Sequence, residues 1–158
     1  MASPRNLEIR NATAADLPSI VRMLADDELG QASERHSEPL AESYQRAFTE
    51  ISESDTNELL VASIEDEVVG VLQITYIPYL TFLGGKRALI EGIRVDSARR
   101  SQGIGRLMVQ TAMNKARDRG CHMIQLTTNK SRPDAIRFYE SLGFESTHEG
   151  LKCTLEEQ

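Results

Sequence analysis

Residues 93–108 read IRVDSARRSQGIGRLM, which indicates the end of a strand, a glycine-containing loop and the first turns of a helix. Glycines in such a loop let backbone N–H groups turn toward an anion and approach it closely. The helix behind the loop adds its own unpaired N–H groups and the positive end of its dipole. Arg99, Arg100 and Arg106 bring positive charge to the same place. The segment therefore predicts a diphosphate site, with a tight turn that binds nothing as the alternative.

Two familiar nucleotide-binding loops do not match this segment. In the Rossmann fingerprint, G-x-G-x-x-G, the third glycine would fall at Met108, and that loop follows the first strand of its fold. The Walker pattern, G-x-x-x-x-G-K-S/T, is absent from the sequence. A nucleotide-binding α/β domain with an unrelated loop stays open as an alternative at this point.

The pattern along the rest of the chain predicts a single domain over residues 1–158, with an α+β (mixed α/β) fold and a largely antiparallel sheet. The segments expected to form strands are 7–10, 59–64, 68–77, 88–95 and 122–127, followed by a closing hairpin from Phe144 onward. The segments expected to form helices are one after Thr13, then 39–51, 105–119 and a last one that ends at Leu142.

Composition excludes several classes of protein. The chain has 158 residues, of which 40% are hydrophobic, and no apolar run approaches the roughly 20 residues that cross a bilayer. Residues 1–11 lack the apolar segment of a secretory signal, so a cytoplasmic, non-membrane protein is expected. Cys121 and Cys153 are expected to be free thiols. Neither has metal-ligand spacing to the three histidines, so no metal is expected.

The net charge of −6 is unevenly distributed. Residues 1–80 carry 15 acidic and 5 basic side chains, whereas residues 81–158 carry 9 acidic and 13 basic ones. The overall acidity disfavours nucleic acid as the main partner. The basic second half suits a small polyanionic ligand, although a solvated surface would have the same charges.

Two segments resemble one known family. Residues 93–95 and 100–108 look like the GCN5-related N-acetyltransferases, whose signature at this loop is Arg/Gln-x-x-Gly-x-Gly/Ala. About thirty residues later, residues 135–144, AIRFYESLGF, look like the family's second hallmark. The order of elements is similar along nearly the whole chain. The resemblance implies the acyl-CoA N-acyltransferase fold, with a mostly antiparallel sheet of six to seven strands flanked by four helices.

The resemblance also implies the cofactor, acetyl-CoA, with its pyrophosphate on the backbone of residues 101–106. In the family, the strand before the loop splays away from the next strand, and the pantetheine arm lies in the gap. The backbone of Ile93 and Val95 would hydrogen-bond that arm, and the Ile93 N–H would polarise the thioester carbonyl. The expected cofactor-binding residues are Ile93, Arg94, Val95, Arg100, Ser101, Gln102, Gly103, Ile104, Gly105, Arg106 and Asn129.

Acetylation of an amine requires both an acid and a base. An alkylamine, with a pKa of about 10, arrives protonated, and a thiolate, with a conjugate-acid pKa of about 8.5, leaves more easily if protonated. The resemblance implies Tyr139 as the acid, because the matching tyrosine lies beside the cofactor sulfur in the family. The alternative is a ring that packs against the sheet next to Phe138. Direct attack in a ternary complex is expected, without a covalent acyl-enzyme.

Glu91 is the candidate base, acting directly or through a water. Strand alternation would put Glu91, Ile93 and Val95 on one face. A lone carboxylate in an apolar run is unusual, because a buried charge is costly without a partner or a task. A salt bridge to an arginine, or a position that faces water, would explain Glu91 equally well.

The acceptor is less well defined than the cofactor. A small-molecule amine is expected, with a protein or peptide N-terminus as the alternative, and relatives suggest a homodimer. A non-catalytic acyl-CoA-binding sensor of the same fold is the rival reading. Residues that could line the acceptor site, each with packing or solvent exposure as the alternative, are Tyr76, Tyr79, Phe82, Glu28, His36 and His148.

Overall fold

The computed structural model describes residues 6–26, 34 and 36–155. The chain divides into two compact units, Met1–Gln125 and Leu126–Gln158. The expected single domain stays a prediction. None of the helices in the described residues is long and apolar enough to cross a lipid bilayer.

The strands and helices follow the predicted order. The strands are β1 (Leu7–Asn11), β2 (Asn57–Ile64), β3 (Glu67–Pro78), β4 (Lys86–Val95) and β5 (Met123–Leu126). The helices are α1 (Leu17–Ala25), α2 (Glu42–Ser52), α3 (Ile104–Asp118) and α4 (Pro133–Glu140). Short 3₁₀ turns occupy Ala14–Asp16 and Ser97–Arg99, and a single irregular turn occupies Thr81–Gly84. The α4 helix lies in the second unit.

One five-stranded sheet has the sequential order β1-β2-β3-β4-β5. The first three pairings are antiparallel. A two-residue turn joins β2 to β3, in which Glu65 and Asp66 have φ values of +50° and +67°. Two consecutive positive φ values suit the right-handed twist of a hairpin. The mixed, mostly antiparallel architecture expected from the sequence is thus confirmed.

Each face of the sheet packs against a different helix. On one face, α1 contributes to a buried cluster that consists of Ile20, Met23, Val61, Val68 and Val71. On the other face, α3 buries the stripe Ile104, Met108, Val109, Ala112 and Ala116, whose spacing follows the helical period. Gly70 permits this contact, because a Cβ atom there would lie 2.7 Å from the Met108 sulfur.

Two sequence expectations about the sheet were wrong. It has five strands among the described residues, not six to seven, and no strand forms after Phe144, so the closing hairpin is absent from residues 144–155. Residues 145–155 are all exposed, including Leu151 and Leu155. A short strand is stabilised by its partner and by burial rather than by its own composition, and this segment has neither.

A buried carboxylate connects β1 to the turn before α1. Asp16 accepts two hydrogen bonds from the Arg10 guanidinium, at 2.7 and 3.0 Å. It also accepts one from the Thr13 backbone N–H at 2.7 Å. The Arg10 hydrogen bonds outweigh the effect of burial, so the pKa of Asp16 is lowered to about 2.

Asp16→Asn should therefore lower the free energy of unfolding at neutral pH and have less effect in acid. The folded pKa lies below the unfolded value of about 3.9, so the ionised form contributes on the order of 2 kcal/mol above about pH 5. That contribution is lost as the pH falls toward about 2. Urea unfolding of both proteins between pH 7 and pH 2 measures the difference, with the exposed Asp118→Asn as control. A difference that does not change with pH would contradict the assignment.

Candidate functional site

The loop between β4 and α3 is fixed at its start by Asp96. The Asp96 carboxylate accepts a hydrogen bond from the Ala98 N–H at 3.0 Å and pairs with Arg22 of α1 at 3.0 Å. Partial burial would raise the pKa of this carboxyl, but the Ala98 and Arg22 interactions outweigh it and lower the pKa. The Asp96 N–H donates to the Val69 carbonyl at 2.9 Å. The path from the sheet into the loop is therefore held by both the backbone and a charge pair.

The loop then turns through two left-handed residues, Ser101 at φ +63° and Gly103 at φ +80°. Gly103 precedes α3, and its carbonyl accepts the helical hydrogen bond from the Leu107 N–H at 3.0 Å. In the part of the chain that the structure describes, the N–H groups of Gly103, Ile104 and Gly105 have no acceptor. A Cβ atom at Gly103 would meet nothing within 4 Å. Three backbone donors beside open space fit the expected diphosphate.

The arginines near this loop differ in their partners. Arg99 forms an ion pair with Glu67 at 3.1 Å, so its charge is partly balanced. The Arg100 Nε lies 3.5 Å from the Val95 carbonyl oxygen, and Arg106 is exposed on the first turn of α3. The Arg94 Nη1 donates to the Ile93 carbonyl at 2.8 Å. Positive charge thus lies on both sides of the loop, although less of it is available than the sequence count implies.

β4 contains a bulge just before the loop. The register pairs on either side of it are Val71 with Arg94 and Gln73 with Glu91. Gly92 and Ile93 together oppose Leu72, so β4 has one extra residue at this point. Gly92 has a φ of +61°, which glycine adopts without the steric cost that a Cβ atom would bring.

The bulge corrects the expectation that Glu91, Ile93 and Val95 share one face. Residues paired across two strands project from the same face, and residues along one strand alternate. Glu91 pairs with Gln73 and Val95 pairs with Gly70, which lie on opposite faces of β3. Glu91 therefore lies on the α1 face, whereas Val95 lies on the α3 face.

The carboxylate of Glu91 is exposed rather than buried, contrary to the reasoning from its apolar neighbours. Among the described residues it has no hydrogen-bond or ion-pair partner. The sequence analysis gave two alternatives to catalysis for Glu91. Within this part of the chain it forms no salt bridge to an arginine, and its position faces water. An accessible, unpaired carboxylate is able to accept a proton.

Glu91 belongs to a set of polar side chains that the sequence analysis did not identify. We call Asn57, Gln73, Thr75 and Glu91 the polar row, because register pairs join Asn57 to Thr75 and Gln73 to Glu91 across β2, β3 and β4. The available signal was the pair of polar residues, Gln73 and Thr75, at alternate positions in the otherwise apolar run 68–77.

The end of β4 extends beyond its neighbour β5. The His122 N–H donates to the carbonyl of Lys86 at 2.9 Å, so β5 begins beside the first residue of β4. Its four residues extend about 13 Å, whereas Ile93 lies seven residues from Lys86, or about 23 Å along the strand. Among the described strands, β5 therefore leaves the 93–95 backbone unpaired on that side. This is the edge at which the resemblance implies the pantetheine arm.

The second unit contains the other candidate residues. The half-buried ring of Tyr139 on α4 packs edge-on against Phe138 and Phe144, at 5.1 and 5.8 Å between ring centres. The Asn129 side chain accepts a hydrogen bond from the Ser131 N–H at 2.9 Å and is exposed. His148 is exposed and contacts the Thr147 hydroxyl at 2.7 Å.

Of the weaker acceptor-site candidates, Tyr76 takes the packing alternative. It is buried on the α3 face, where its hydroxyl donates to Glu58 at 2.9 Å. Tyr79 and Phe82 form an aromatic group with His122 near the end of the β3–β4 hairpin, with a Tyr79–His122 hydrogen bond. His36 is exposed. Glu28 lies outside the described residues.

The cysteines are both free thiols. Cys121 is half-buried, and burial raises the pKa of its thiol despite the nearby charges of Lys86 and Arg119. Cys153 is exposed. Within the described ranges, no group of three His, Cys, Asp or Glu side chains is arranged to hold a metal ion.

A family model described as the acetyltransferase (GNAT) family matches residues 19–144. Human N-acetyltransferase 8 is 34% identical over 93 residues, which are 59% of this chain and 40% of that protein. The streptothricin acetyltransferase of Streptomyces lavendulae is 26% identical over 92 residues, covering 58% of this chain and 46% of that protein. The matched segment thus spans less than half the length of these curated relatives.

One solved structure resembles nearly the whole chain. The crystal structure of a transcriptional regulator from Bacillus halodurans C-125 is 56% identical, with a TM-score of 0.93, and the match covers 94% of this chain and 99% of that one. The similarity in fold thus extends over nearly the whole chain rather than one local motif.

Proposed function

We propose that this chain, which belongs to the acetyltransferase (GNAT) family, transfers an acetyl group from acetyl-CoA to the amine of a small-molecule acceptor. The observation that carries the proposal is the loop before α3. Its three backbone N–H groups, at Gly103, Ile104 and Gly105, lack acceptors among the described residues. They occupy the segment whose sequence carries the family signature, and a diphosphate supplies the acceptors that they lack.

The cofactor would be held along one continuous path of the chain. The residues proposed for the pyrophosphate are Arg100, Ser101, Gln102, Gly103, Ile104, Gly105 and Arg106. The backbone of Ile93 and Val95, with Arg94 between them, would hold the pantetheine arm at the edge that β5 leaves unpaired. Asn129 is the proposed contact from the second unit. Acetyl-CoA supplies an activated acyl group on a thiol that can leave.

The proposed reaction is direct attack of the amine on the thioester, without a covalent acyl-enzyme. Glu91 accepts a proton from the ammonium group, directly or through a water. The amine nitrogen then bonds to the carbonyl carbon, the C–S bond breaks, and the Tyr139 hydroxyl gives its proton to the departing sulfur. The nitrogen releases its second proton to water as the amide forms, and the tyrosinate recovers a proton from water. The Ile93 N–H stabilises the oxyanion. The exposed, unpaired state of Glu91 supports its role, and the family resemblance supports that of Tyr139.

We further propose that both units work as one acetyltransferase domain, since the family model extends from residue 19 to residue 144 and includes parts of each. A small-molecule acceptor is supported by the name of the Streptomyces relative, which acts on streptothricin. The homodimer rests on the family resemblance, and the cytoplasmic location rests on composition. The net charge of −6 disfavours nucleic acid as a partner.

A second candidate is a non-catalytic acyl-CoA-binding sensor. It is favoured by one observation, the description of the Bacillus halodurans protein as a transcriptional regulator. Such a sensor would bind CoA through the same loop and would need no base. Turnover of an amine separates the two functions.

Purified protein should release free thiol from acetyl-CoA in the presence of an acceptor amine. The assay measures thiol release against a panel of alkylamines, amino sugars, polyamines, amino acids and peptides. We expect turnover with at least one small amine. Binding of CoA without turnover of any amine would favour the sensor, and the absence of CoA binding would reject both functions.

Gly103→Ala should weaken CoA binding by about tenfold, because an L-residue resists the left-handed backbone that aims the loop N–H groups. Gly120→Ala is the matched control, since Gly120 has a φ of +73° and equally open space at the other end of α3. Both variants should lose about 1 kcal/mol of stability. Calorimetry with CoA should separate them. Equal CoA affinities of the two variants would contradict the proposal that the loop before α3 binds CoA.

Tyr139→Phe should reduce kcat by on the order of 100-fold, because the leaving thiolate loses its proton donor. The CoA dissociation constant should stay within about twofold of the wild type, since the ring is kept. Tyr76→Phe also removes a hydroxyl, but from the Glu58 hydrogen bond on the α3 face. It should reduce the melting temperature and leave kcat unchanged. An unaltered kcat in Tyr139→Phe would reject the assignment.

A further inference from the structure

The polar row interrupts an apolar sheet face. The buried cluster under α1 ends on β3 at Val71, and the next two residues on that face are Gln73 and Thr75. Both are half-buried, as is Asn57 beside them. Polar groups on a partly buried face cost free energy unless they are hydrogen-bonded. The hydrogen-bond partners of these polar side chains therefore decide which of their atoms remain available to a ligand.

Asn57 fixes the orientation of Gln73. The Asn57 Oδ1 accepts hydrogen bonds from the Thr75 hydroxyl at 2.7 Å and from the Gln73 Nε2 at 3.3 Å. The Asn57 Nδ2 donates to the Ser54 hydroxyl at 3.0 Å. Because one N–H of the Gln73 amide donates to Asn57, the amide is held in this orientation, and its carbonyl oxygen Oε1 is left to accept from another group.

Gln73 and Glu91 then present acceptors side by side. Within the described residues, neither the Gln73 Oε1 nor the Glu91 carboxylate receives a hydrogen bond. The two residues are directly paired across β3 and β4. Directly opposed residues have Cβ atoms about 5 Å apart, so one small group can reach both side chains. A primary ammonium has three N–H donors and one positive charge, which match these three acceptor oxygens and one negative charge.

We infer that Gln73, oriented by Asn57, is a positioning residue for the acceptor amine and makes the enzyme prefer primary amines to their N-methyl derivatives. This inference rests on the proposed acetyl transfer and narrows its acceptor class. Glu91 accepts the proton of the ammonium group, and the Gln73 Oε1 holds one of the two N–H groups that remain. The hydrogen bond to the Gln73 Oε1 then orients the nitrogen lone pair toward the thioester, which the charge of Glu91 alone would not do.

A methyl group on the nitrogen removes one of those N–H donors. The secondary amine keeps a single N–H after deprotonation. Its methyl group would displace water from the Gln73 Oε1 or the Glu91 carboxylate without supplying a hydrogen bond in return. A site that uses a buried or half-buried acceptor rejects an analogue without the matching donor. The size of the preference therefore measures the Gln73 interaction.

The test compares the best primary amine of the panel with its N-methyl derivative at saturating acetyl-CoA. The wild type should favour the primary amine in kcat/KM by about tenfold. Gln73→Met, which keeps chain length without an acceptor, should raise KM for the primary amine about tenfold and bring the ratio close to one. Asn57→Leu should also lower the ratio of kcat/KM for the primary amine to kcat/KM for its N-methyl derivative. Neither change should alter KM for acetyl-CoA.

Thr75→Val is the matched control, because it removes the other hydrogen bond to Asn57 and leaves the Asn57–Gln73 bond in place. Its ratio should equal that of the wild type. A wild type without preference would overturn the inference, even if the variants fail to fold. An equal loss on both amines in folded Gln73→Met would overturn it as well. If the folded wild type acetylates no amine, the proposed function itself fails.

Discussion

One extra residue in β4 determines which groups meet at the candidate site. With regular alternation, Glu91 would lie on the same face as Val95 and would join the α3 side of the sheet. The bulge at Gly92–Ile93 instead pairs Glu91 with Gln73. An L-residue at the φ of Gly92, +61°, would cost about 1 to 2 kcal/mol. Glycine removes that cost. The bulge therefore places Glu91, the proposed base, only two residues along the chain from Ile93, where the backbone edge proposed for the cofactor begins.

The loop after β4 depends more on backbone geometry than on its arginines. The Arg99–Glu67 ion pair is exposed at both ends, and such pairs contribute about 0 to 1 kcal/mol. By contrast, Asp96 joins the loop to α1 and to the backbone through Arg22 and Ala98. The left-handed Gly103 then leads into α3, whose first N–H groups have no acceptor among the described residues. The proposed anion site therefore depends first on how the chain turns, and charge adds to it.

Sequence reasoning succeeded where local periodicity and turn chemistry decide the structure. The helix expected at 105–119 forms at Ile104–Asp118, because the apolar stripe and the glycines at both ends mark it locally. The bulge was missed because regular alternation was assumed through Gly92, although an isolated glycine within a strand is itself a sign of a bulge. The closing hairpin failed for a different reason. Strand formation depends on a partner strand, which residues 145–155 do not have. Local composition does not indicate whether such a partner is present.

Two glutamates, on the two strands that flank β3, show why the candidate base could not be chosen from composition alone. Glu58 is largely buried on the α3 face, where Lys115 and Arg119 pair with it at 2.6 and 3.1 Å. Burial alone would raise the pKa of Glu58, but the hydrogen bonds from Lys115 and Tyr76 outweigh it and lower the pKa.

Burial and the same hydrogen bond also raise the pKa of Tyr76. A carboxylate satisfied by two cations and a phenol holds α3 against the sheet and has little tendency to take a proton. Glu91 has the opposite surroundings, exposed and unpaired among the described residues beside an amide that is also an acceptor. The two carboxylates therefore differ in their partners, which only the register of the strands and the position of α3 reveal.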